Sequence, residues 1–269
     1  MHHNNDLYMP SLDDPACLSQ DFGPVRLIFM NEQRRRNALS LALRESLHQM
    51  LTEALEDDEV HAIVLAGAGG TFSAGGDISS MNGLDAIGGR KRLQQAQRLF
   101  HLLYHGPKPV VAAVEGAAVG AGLSLASACD IIVAGTSARF GCLFSRIGLI
   151  PDLGMLKSLP ERIGSGRAKL LAMNGKTIDA TTAGQWGLVD EVASEGVAIE
   201  RALEIAKGIS EGAPLAHTLT KQLLGRLPLS TDALLAAEAD AQALLFTTED
   251  FVEGREAFLN KRKPQFQGK

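Results

Sequence analysis

Hydrophobic positions along the chain switch between strand-like and helix-like periods. Val25 to Met30 is a short apolar run of β character. Ser40 stands where a helix N-cap belongs, and Leu43, Leu47, Met50, Leu51, Ala54 and Leu55 follow at helical spacing. Ala62 to Ala66 is short, apolar and partly β-branched, as in a strand buried on both faces. Gly67 to Gly76 holds five glycines, and Ser79 to Gly89 is a second stretch rich in Gly, Ser and Asn that predicts a mobile loop. Helical spacing returns at Leu93, Ala96, Leu99, Phe100 and Leu103. After Pro107 and Pro109, Val110 to Val114 predicts another buried strand, Ala121 to Ala128 a helix of small residues, and Ile131 to Val133 a further strand.

Beyond about residue 152 the strand pattern fades. Helices are predicted over 152–163, 165–173, 179–186, 198–211, 214–225, 230–246 and 248–261. Asp179 is placed to cap one of them, and Gly187, behind Trp186, to end it. The βαβ rhythm predicts an α/β fold with parallel strands covered on both faces. The expected division is a loose arm over 1–20, an α/β core over 21–200 and a helical region over 201–269.

Composition narrows the function. The 269 residues are 45% hydrophobic and 21% charged, as in soluble globular chains. Lys and Arg (26) are outnumbered by Asp and Glu (31), so there is no basic surplus to neutralise a nucleic-acid backbone. Cys17, Cys129 and Cys142 form no CxxC and no paired framework, which argues for a reducing compartment and no metal site. Uncharged runs such as Gly116 to Cys129 fall short of the roughly 20 apolar residues of a membrane span, and the polar N-terminus lacks a signal pattern. A cytoplasmic location without membrane attachment is expected. The 28 glycines contrast with 10 Phe, 2 Tyr and 1 Trp. Tight turns and close backbone approaches are expected, and aromatic cages are not.

Three textual motifs fail on inspection. Gly175-Lys176-Thr177 ends like a phosphate-binding loop, but Leu170 stands where the first glycine is required. Gly120-Ala121-Gly122 lacks the third glycine of a dinucleotide fingerprint, having Leu125 there. Gly122-Leu123-Ser124-Leu125-Ala126 resembles a nucleophile elbow, yet it lies too far beyond Val114 to follow that strand directly. Two glycine-rich turns remain, Thr71 to Ile78 and Val119 to Gly122, each following a buried strand. Either they permit close helix–strand packing, or they aim backbone N–H groups at a ligand oxygen, helped by the N-terminus of the 121–128 helix.

Phe72 to Ile78 (FSAGGDI), Pro109 to Gly116 (PVVAAVEG), Gly120 to Gly122, Cys129 to Ile132 and Gly148 to Asp152 together resemble the enoyl-CoA hydratase/isomerase (crotonase) family. The similarity extends through Gly166-Arg167-Ala168, Ala183 to Val189 and Glu253 to Lys269, so it covers roughly residues 24–269. It implies a spiral of ββα units with a C-terminal helical region used in trimerisation, as a homotrimer or a dimer of trimers. It implies an acyl-CoA thioester as substrate and partner, with no separate cofactor, and an enolate held by two backbone N–H groups. Those donors fall on Gly76 and Ala121. Ser73, Ala74, Gly75, Asp77, Ile78 and Gly120 would line the substrate path, with Asp77 also suited to stabilising its own turn.

The departures from the family carry more information. The two glutamates that activate water in its hydratases fall on Ser124 and Phe144, which cannot act as a carboxylate pair. Asp152 matches the aspartate of some of its isomerases. Leu143 to Asp152 and Pro264 to Lys269 are most similar to the phenylacetate-pathway isomerases, which convert a ring-epoxide thioester to an oxepin and also shift enoyl double bonds. One carboxylate suffices for isomerisation, because it removes a proton at one carbon and returns it at another. An apolar setting of Leu143, Phe144 and Leu149 would raise its pKa. From the residues alone, Asp152 reads more readily as the N-cap of a helix beginning at Leu153, with Pro151 fixing the entry. Lys261, with Arg262 and Lys263, either reaches coenzyme A phosphates, from a neighbouring subunit, or is a solvated tail; Arg34 to Arg36 carry the same ambiguity. Ser124 can contact a ligand or its own helix. The expectation is an acyl-CoA isomerase. Its rivals are a hydratase using another carboxylate, an enzyme using Asp152 as a nucleophile, and a non-catalytic acyl-CoA- or RNA-binding member of the fold.

Overall fold

The computed structural model describes residues 7–269. Elements follow in chain order: β1 (Cys17–Phe22), β2 (Val25–Met30), α1 (Leu41–Glu56), β3 (Ala62–Gly67), α2 (Ala86–His105), β4 (Val110–Val114), β5 (Ala117–Val119) and α3 (Ala121–Ala128). Next come β6 (Ile131–Gly135), β7 (Arg139–Gly141), α4 (Met155–Asn174), β8 (Thr177–Asp179), α5 (Ala180–Trp186) and β9 (Glu191–Ala193). The chain ends in α6 (Ala198–Ser210), α7 (Pro214–Gly225), α8 (Thr231–Leu245) and α9 (Glu249–Leu259).

The main sheet runs β1-β2-β3-β4-β6-β9, antiparallel between β1 and β2 and parallel elsewhere. Its central strands are buried along their whole length because both faces are covered, which explains their continuous apolar runs. Ile28, Met30, Ile63, Leu65, Val110, Ala112 and Val114 face one core with α1, α2, α3 and α4. The alternate residues Leu27, Phe29, Val64, Ala66, Val111 and Ala113 face α6 through Ala198, Ala202 and Ala206. The period of 2 thus distributes each strand between two cores. A small second sheet, β5-β7-β8, stands at the carboxyl ends of the main strands and frames the second glycine turn.

Local chemistry explains the element ends. Ser40 is extended and its side chain accepts from the Leu43 N–H, as the spacing predicts. Asp179 caps α5 through the Thr182 N–H, and Gly187 ends it with φ of 82°. The two predicted helices 152–163 and 165–173 are one element, α4, broken by non-helical backbone at Gly164.

Some expectations differ from the fold. Part of the expected loose arm is ordered: residues 17–20 belong to β1, paired with β2, and Asn31 Nδ2 holds the Ser11 carbonyl at 2.9 Å. The arm's first six residues lie outside the described ones. The boundary at 200/201 falls inside α6, which packs on the main sheet. Ser79 to Gly89 is not one loop: Ile78–Met81 is a 3₁₀ turn, and α2 begins at Ala86 with Asp85 accepting from the Gly88 N–H. β5, β7, β8 and β9 escaped notice because three residues are too few to show a period.

Helix α7 is held to the core by one buried lysine. Lys221 Nζ donates to the carbonyls of Leu103 and Lys108 and to the Asp130 carboxylate, at 2.7, 2.9 and 2.7 Å. Asp130 Oδ2 also accepts from the Val110 N–H, so one carboxylate joins β4 to α7. Lys221→Met removes the lysine donor from all three acceptors and leaves the Asp130 carboxylate with the Val110 N–H but without its counter-charge. It is expected to cost about 3 kcal/mol in denaturant unfolding and to speed amide exchange in α7 before the sheet.

Candidate active site

The two glycine turns meet backbone to backbone. The first runs from β3 to the 3₁₀ turn at Ile78–Met81, and the second joins β5 to α3. Ser73 N–H donates to the Ala117 carbonyl, and Val119 N–H donates back to the Ser73 carbonyl, at 2.8 and 3.1 Å. A β-carbon on Gly75 would lie 2.7 Å from the Val119 oxygen and 3.4 Å from the Ala121 nitrogen, and Gly75 has φ of 99°. One on Gly122 would lie 2.5 Å from the Ser73 oxygen. Neither position admits a side chain without moving the opposite turn.

Further bonds fix each turn. Gly120 N–H donates to Gly141 at the end of β7, and Ala74 N–H to the Arg36 carbonyl. Asn37 adopts the left-handed conformation, φ 54°, and is fully buried. Its side chain donates to the carbonyls of Ala68 and Thr71 and accepts from the Glu32 N–H, while its own carbonyl accepts from Ser73 Oγ. Ser73 Oγ also accepts from the Gly75 N–H. These bonds engage the N–H groups of Ala74, Gly75, Val119 and Gly120. Among the described residues, no such bond uses the N–H of Gly76 or Ala121. Ala121 is the first residue of α3, where helical N–H groups lack an intrahelical acceptor.

Asp152 lies within electrostatic reach of Arg92 and of Cys142, each of which adjoins one turn's supports. It follows Pro151 and precedes Leu153 and Gly154, both left-handed with φ of 48° and 74°. Leu153 is buried, so its strained backbone is held by packing. Helix α4 begins only at Met155, with Gly154 as its cap residue and no side-chain capping bond. The N-cap reading of Asp152 is therefore wrong: its backbone carbonyl meets the Met155 N–H, and its side chain does not cap. Asp152 Oδ1 is buried without a hydrogen-bond partner among the described residues. Burial pushes this carboxyl up to about 6, while the positive charges of Arg92 and Arg44 oppose the rise. Arg92 in turn donates to the Asp77 carbonyl at 3.3 Å, which ties α2 to the first turn. Cys142, next to Gly141, also feels the Asp152 charge.

The other expected positions fall into three groups. Ser73, Ala74, Gly75, Gly76 and Gly120 lie in the paired turns. Asp77 is occupied by its own loop, accepting from the Ser79 N–H and hydroxyl and pairing with Arg35 at 3.2 Å, while Ile78 is exposed beyond it. Ser124 is fully buried and directs its hydroxyl toward the Gly120 carbonyl of its own helix, at 3.4 Å. Phe144 is buried in a 3₁₀ turn, its carbonyl accepting from the Leu149 N–H. Leu149 and Ile150 are exposed, so the apolar setting of Asp152 is open on that side. Lys261 is exposed just after α9, and among the described residues no bond brings it to the turns. Among the described residues no group of three His, Cys, Asp or Glu side chains could hold a metal, and no helix is long and apolar enough to cross a membrane.

Asn37, Arg44 and Arg92 escaped the sequence reading. Two carried a signal. Asn tolerates left-handed backbone well, and Arg44 interrupts the apolar stripe of α1.

Two variants test this geometry. Gly75→Ala combines an unfavourable φ with a clash against the Val119 oxygen, so denaturant unfolding should show a loss of about 1–3 kcal/mol. Asp152 binds its proton more tightly when folded, so its ionisation lowers stability as pH rises from about 4 to about 6. Asp152→Asn should therefore stabilise the protein above pH 6, by roughly 1–2 kcal/mol given its partial exposure, and give little gain below about pH 4. Thermal unfolding at both ends of that range reads the difference.

Known proteins extend this picture over nearly the whole chain. Residues 23–269 match the family model described as enoyl-CoA hydratase/isomerase. The short-chain-enoyl-CoA hydratase of Clostridium acetobutylicum is 37% identical over 90% of this chain and 93% of its own. The 1,2-epoxyphenylacetyl-CoA isomerase of Escherichia coli is 35% identical over 91% and 95%. The crystal structure of an enoyl-CoA hydratase from Bacillus anthracis superposes with a TM-score of 0.90 at 33% identity, covering 94% of this chain and 100% of that one. With its sheet, paired turns and helical C-terminal region, the chain has the α/β crotonase fold and belongs to the enoyl-CoA hydratase/isomerase family.

Proposed function

We propose that the chain is an acyl-CoA isomerase that shifts a double bond, or opens a ring epoxide, through an enolate. The observation that carries this reading is Asp152, a half-buried carboxylate whose Oδ1 is buried and unpartnered among the described residues, with a raised pKa and with Arg92, which is bonded to the first glycine turn, among the charges it feels. For a 3-enoyl thioester, the ionised Asp152 takes a proton from C2. The electron pair moves onto the thioester oxygen, held by the Gly76 and Ala121 N–H groups. Asp152 then returns its proton to C4, giving the 2-enoyl product and restoring the carboxylate. Each such backbone donor is worth about 2.7–4 kcal/mol in the transition state. The coenzyme A moiety belongs to the substrate, and the reaction needs no further cofactor.

Ser124 and Phe144 support isomerisation over hydration. The Ser124 hydroxyl is turned to its own helix and Phe144 is apolar, so neither position supplies a carboxylate to activate water. The hydratase name of the Clostridium relative favours a second reading, addition of water by another carboxylate. The exposed Leu224, Leu235 and Leu244 of α7 and α8 suit contacts between copies, which fits the homotrimer or dimer of trimers expected from the resemblance.

Mass spectrometry of 3-enoyl-, 2-enoyl- and aryl-CoA thioesters in heavy water separates the readings. Bond migration with deuterium uptake and without incorporation of solvent oxygen is the expected outcome. Oxygen uptake into crotonyl-CoA would favour the hydratase. Binding without either change would leave a non-catalytic acyl-CoA carrier. Asp152→Asn should lose at least 100-fold in proton exchange while still binding thioester. In the native chain the exchange rate should climb with pH through about 6 and then level off, because the base must start ionised.

A further inference from the structure

Helices α1 and α2 form the walls of a cleft of about 140 Å³, lined by none of the residues of the paired turns. Its walls are Leu41, Arg44, Glu45 and His48 from α1, and Gln95 and Arg98 from α2. Spacings of three and four residues put each set on one face of its helix.

Arg44 is an unusual residue for such a wall. It is 7% exposed, on a helix whose other buried residues are apolar. Its Nε donates to the Ser40 carbonyl at 3.2 Å, and its Nη1 to the Arg92 carbonyl at 3.5 Å. Its Nη2 has no acceptor among the described residues. Asp152 Oδ1 is the one fully buried side-chain N or O atom among them that lacks a partner. Nη2 is therefore open to solvent, and Arg44 lines the cleft.

The other donors of the cleft are also uncommitted. Gln95 and Arg98 are exposed and His48 is half-buried. Among the described residues their side chains make no hydrogen bond, and neither Arg44 nor Arg98 pairs with a carboxylate. Glu45, exposed at the rim, offsets one of the two positive charges and leaves the cleft cationic. A leucine at 44 would continue the apolar stripe of α1 without desolvating a guanidinium. What the arginine adds is a buried charge with one free donor, which an anion in the cleft would satisfy.

We propose that the cleft is an anion site for a phosphoryl group, with Arg44 Nη2 as its buried donor and Arg98 and Gln95 closing from α2. A phosphoryl group offers three acceptor oxygens and so bonds to both helices at once, whereas a carboxylate offers two. Guanidinium groups match its geometry. The volume suits the group itself and falls below the roughly 300–1,000 Å³ usual for larger ligands. The site stands whichever reaction the paired turns support.

NMR of the full chain, labelled at histidine ring carbons, reads the cleft through His48. Its signal is assigned by its absence from His48→Gln. Inorganic phosphate is titrated at constant ionic strength, at a pH where histidine is neutral. The native signal should move along a saturating curve. Half-saturation should rise about tenfold in Arg44→Met and at least about threefold in Arg98→Met. Should Arg44→Met fail to fold, Arg98→Met decides, because its side chain is exposed. Adenosine monophosphate distinguishes the source. Tighter binding than inorganic phosphate assigns the site to a nucleotide's phosphate, and equal binding assigns it to the free ion. A shift by acetate equal to that by phosphate overturns the phosphoryl assignment. A signal that never saturates, or a half-saturation unchanged in folded Arg98→Met, overturns the site.

Discussion

The site depends on two turns approaching closer than side chains allow. Gly75 faces the Val119 oxygen and the Ala121 nitrogen, and Gly122 faces the Ser73 oxygen, each at a separation that excludes a β-carbon. The rest of the molecule serves this contact. β3 and β4 are neighbouring parallel strands whose carboxyl ends launch the segments that carry the two turns. The small sheet holds the second turn through Gly141, and Asn37 ties the first turn to the loop before α1. With the neighbouring N–H groups engaged, those of Gly76 and Ala121 have no backbone acceptor among the described residues, which is what the proposed enolate site requires. Donors fixed by backbone pairing need no reorganisation when charge develops, which is the property that makes such a site effective.

Asp152 adds a second constraint, electrostatic in kind. Burial makes its charge costly, and Arg92 and Arg44 reduce that cost without pairing with it. The left-handed backbone of Leu153 and Gly154 delays the start of α4 until Met155 and so keeps the carboxylate out of the helix terminus. A capping aspartate would be hydrogen-bonded, with a lowered pKa, and poorly suited to exchanging protons near neutrality. In the proposed mechanism, a strained turn and a desolvated acid lower stability in exchange for reactivity.

Much of the fold was legible in the sequence. The apolar runs at Val25, Ala62, Val110 and Ile131 are strands because full burial on two faces leaves a continuous signature. The caps at Ser40 and Asp179 were legible because their side chains act locally. The three-residue strands were not, since their pairing is set by partners distant in sequence. Glycine spacing marked both turns, but nothing local showed that they touch. For Asp152 the local reading favoured a cap, because Pro-Asp before a helix is a common entry. The left-handed residues that exclude it are set by tertiary packing. Arg44 was visible as a break in an apolar stripe, yet its connection to Arg92 and Asp77 spans three elements.

Infrared spectroscopy of a thioester labelled with carbon-13 at its carbonyl, bound to the protein, tests most directly whether backbone donors converge on one oxygen. Two hydrogen bonds polarise the carbonyl and lower its stretching frequency. The account predicts a band displaced well below that of the free thioester, and a smaller displacement in Gly75→Ala, where the turns are pushed apart. A bound thioester whose carbonyl band matches the free compound would contradict it.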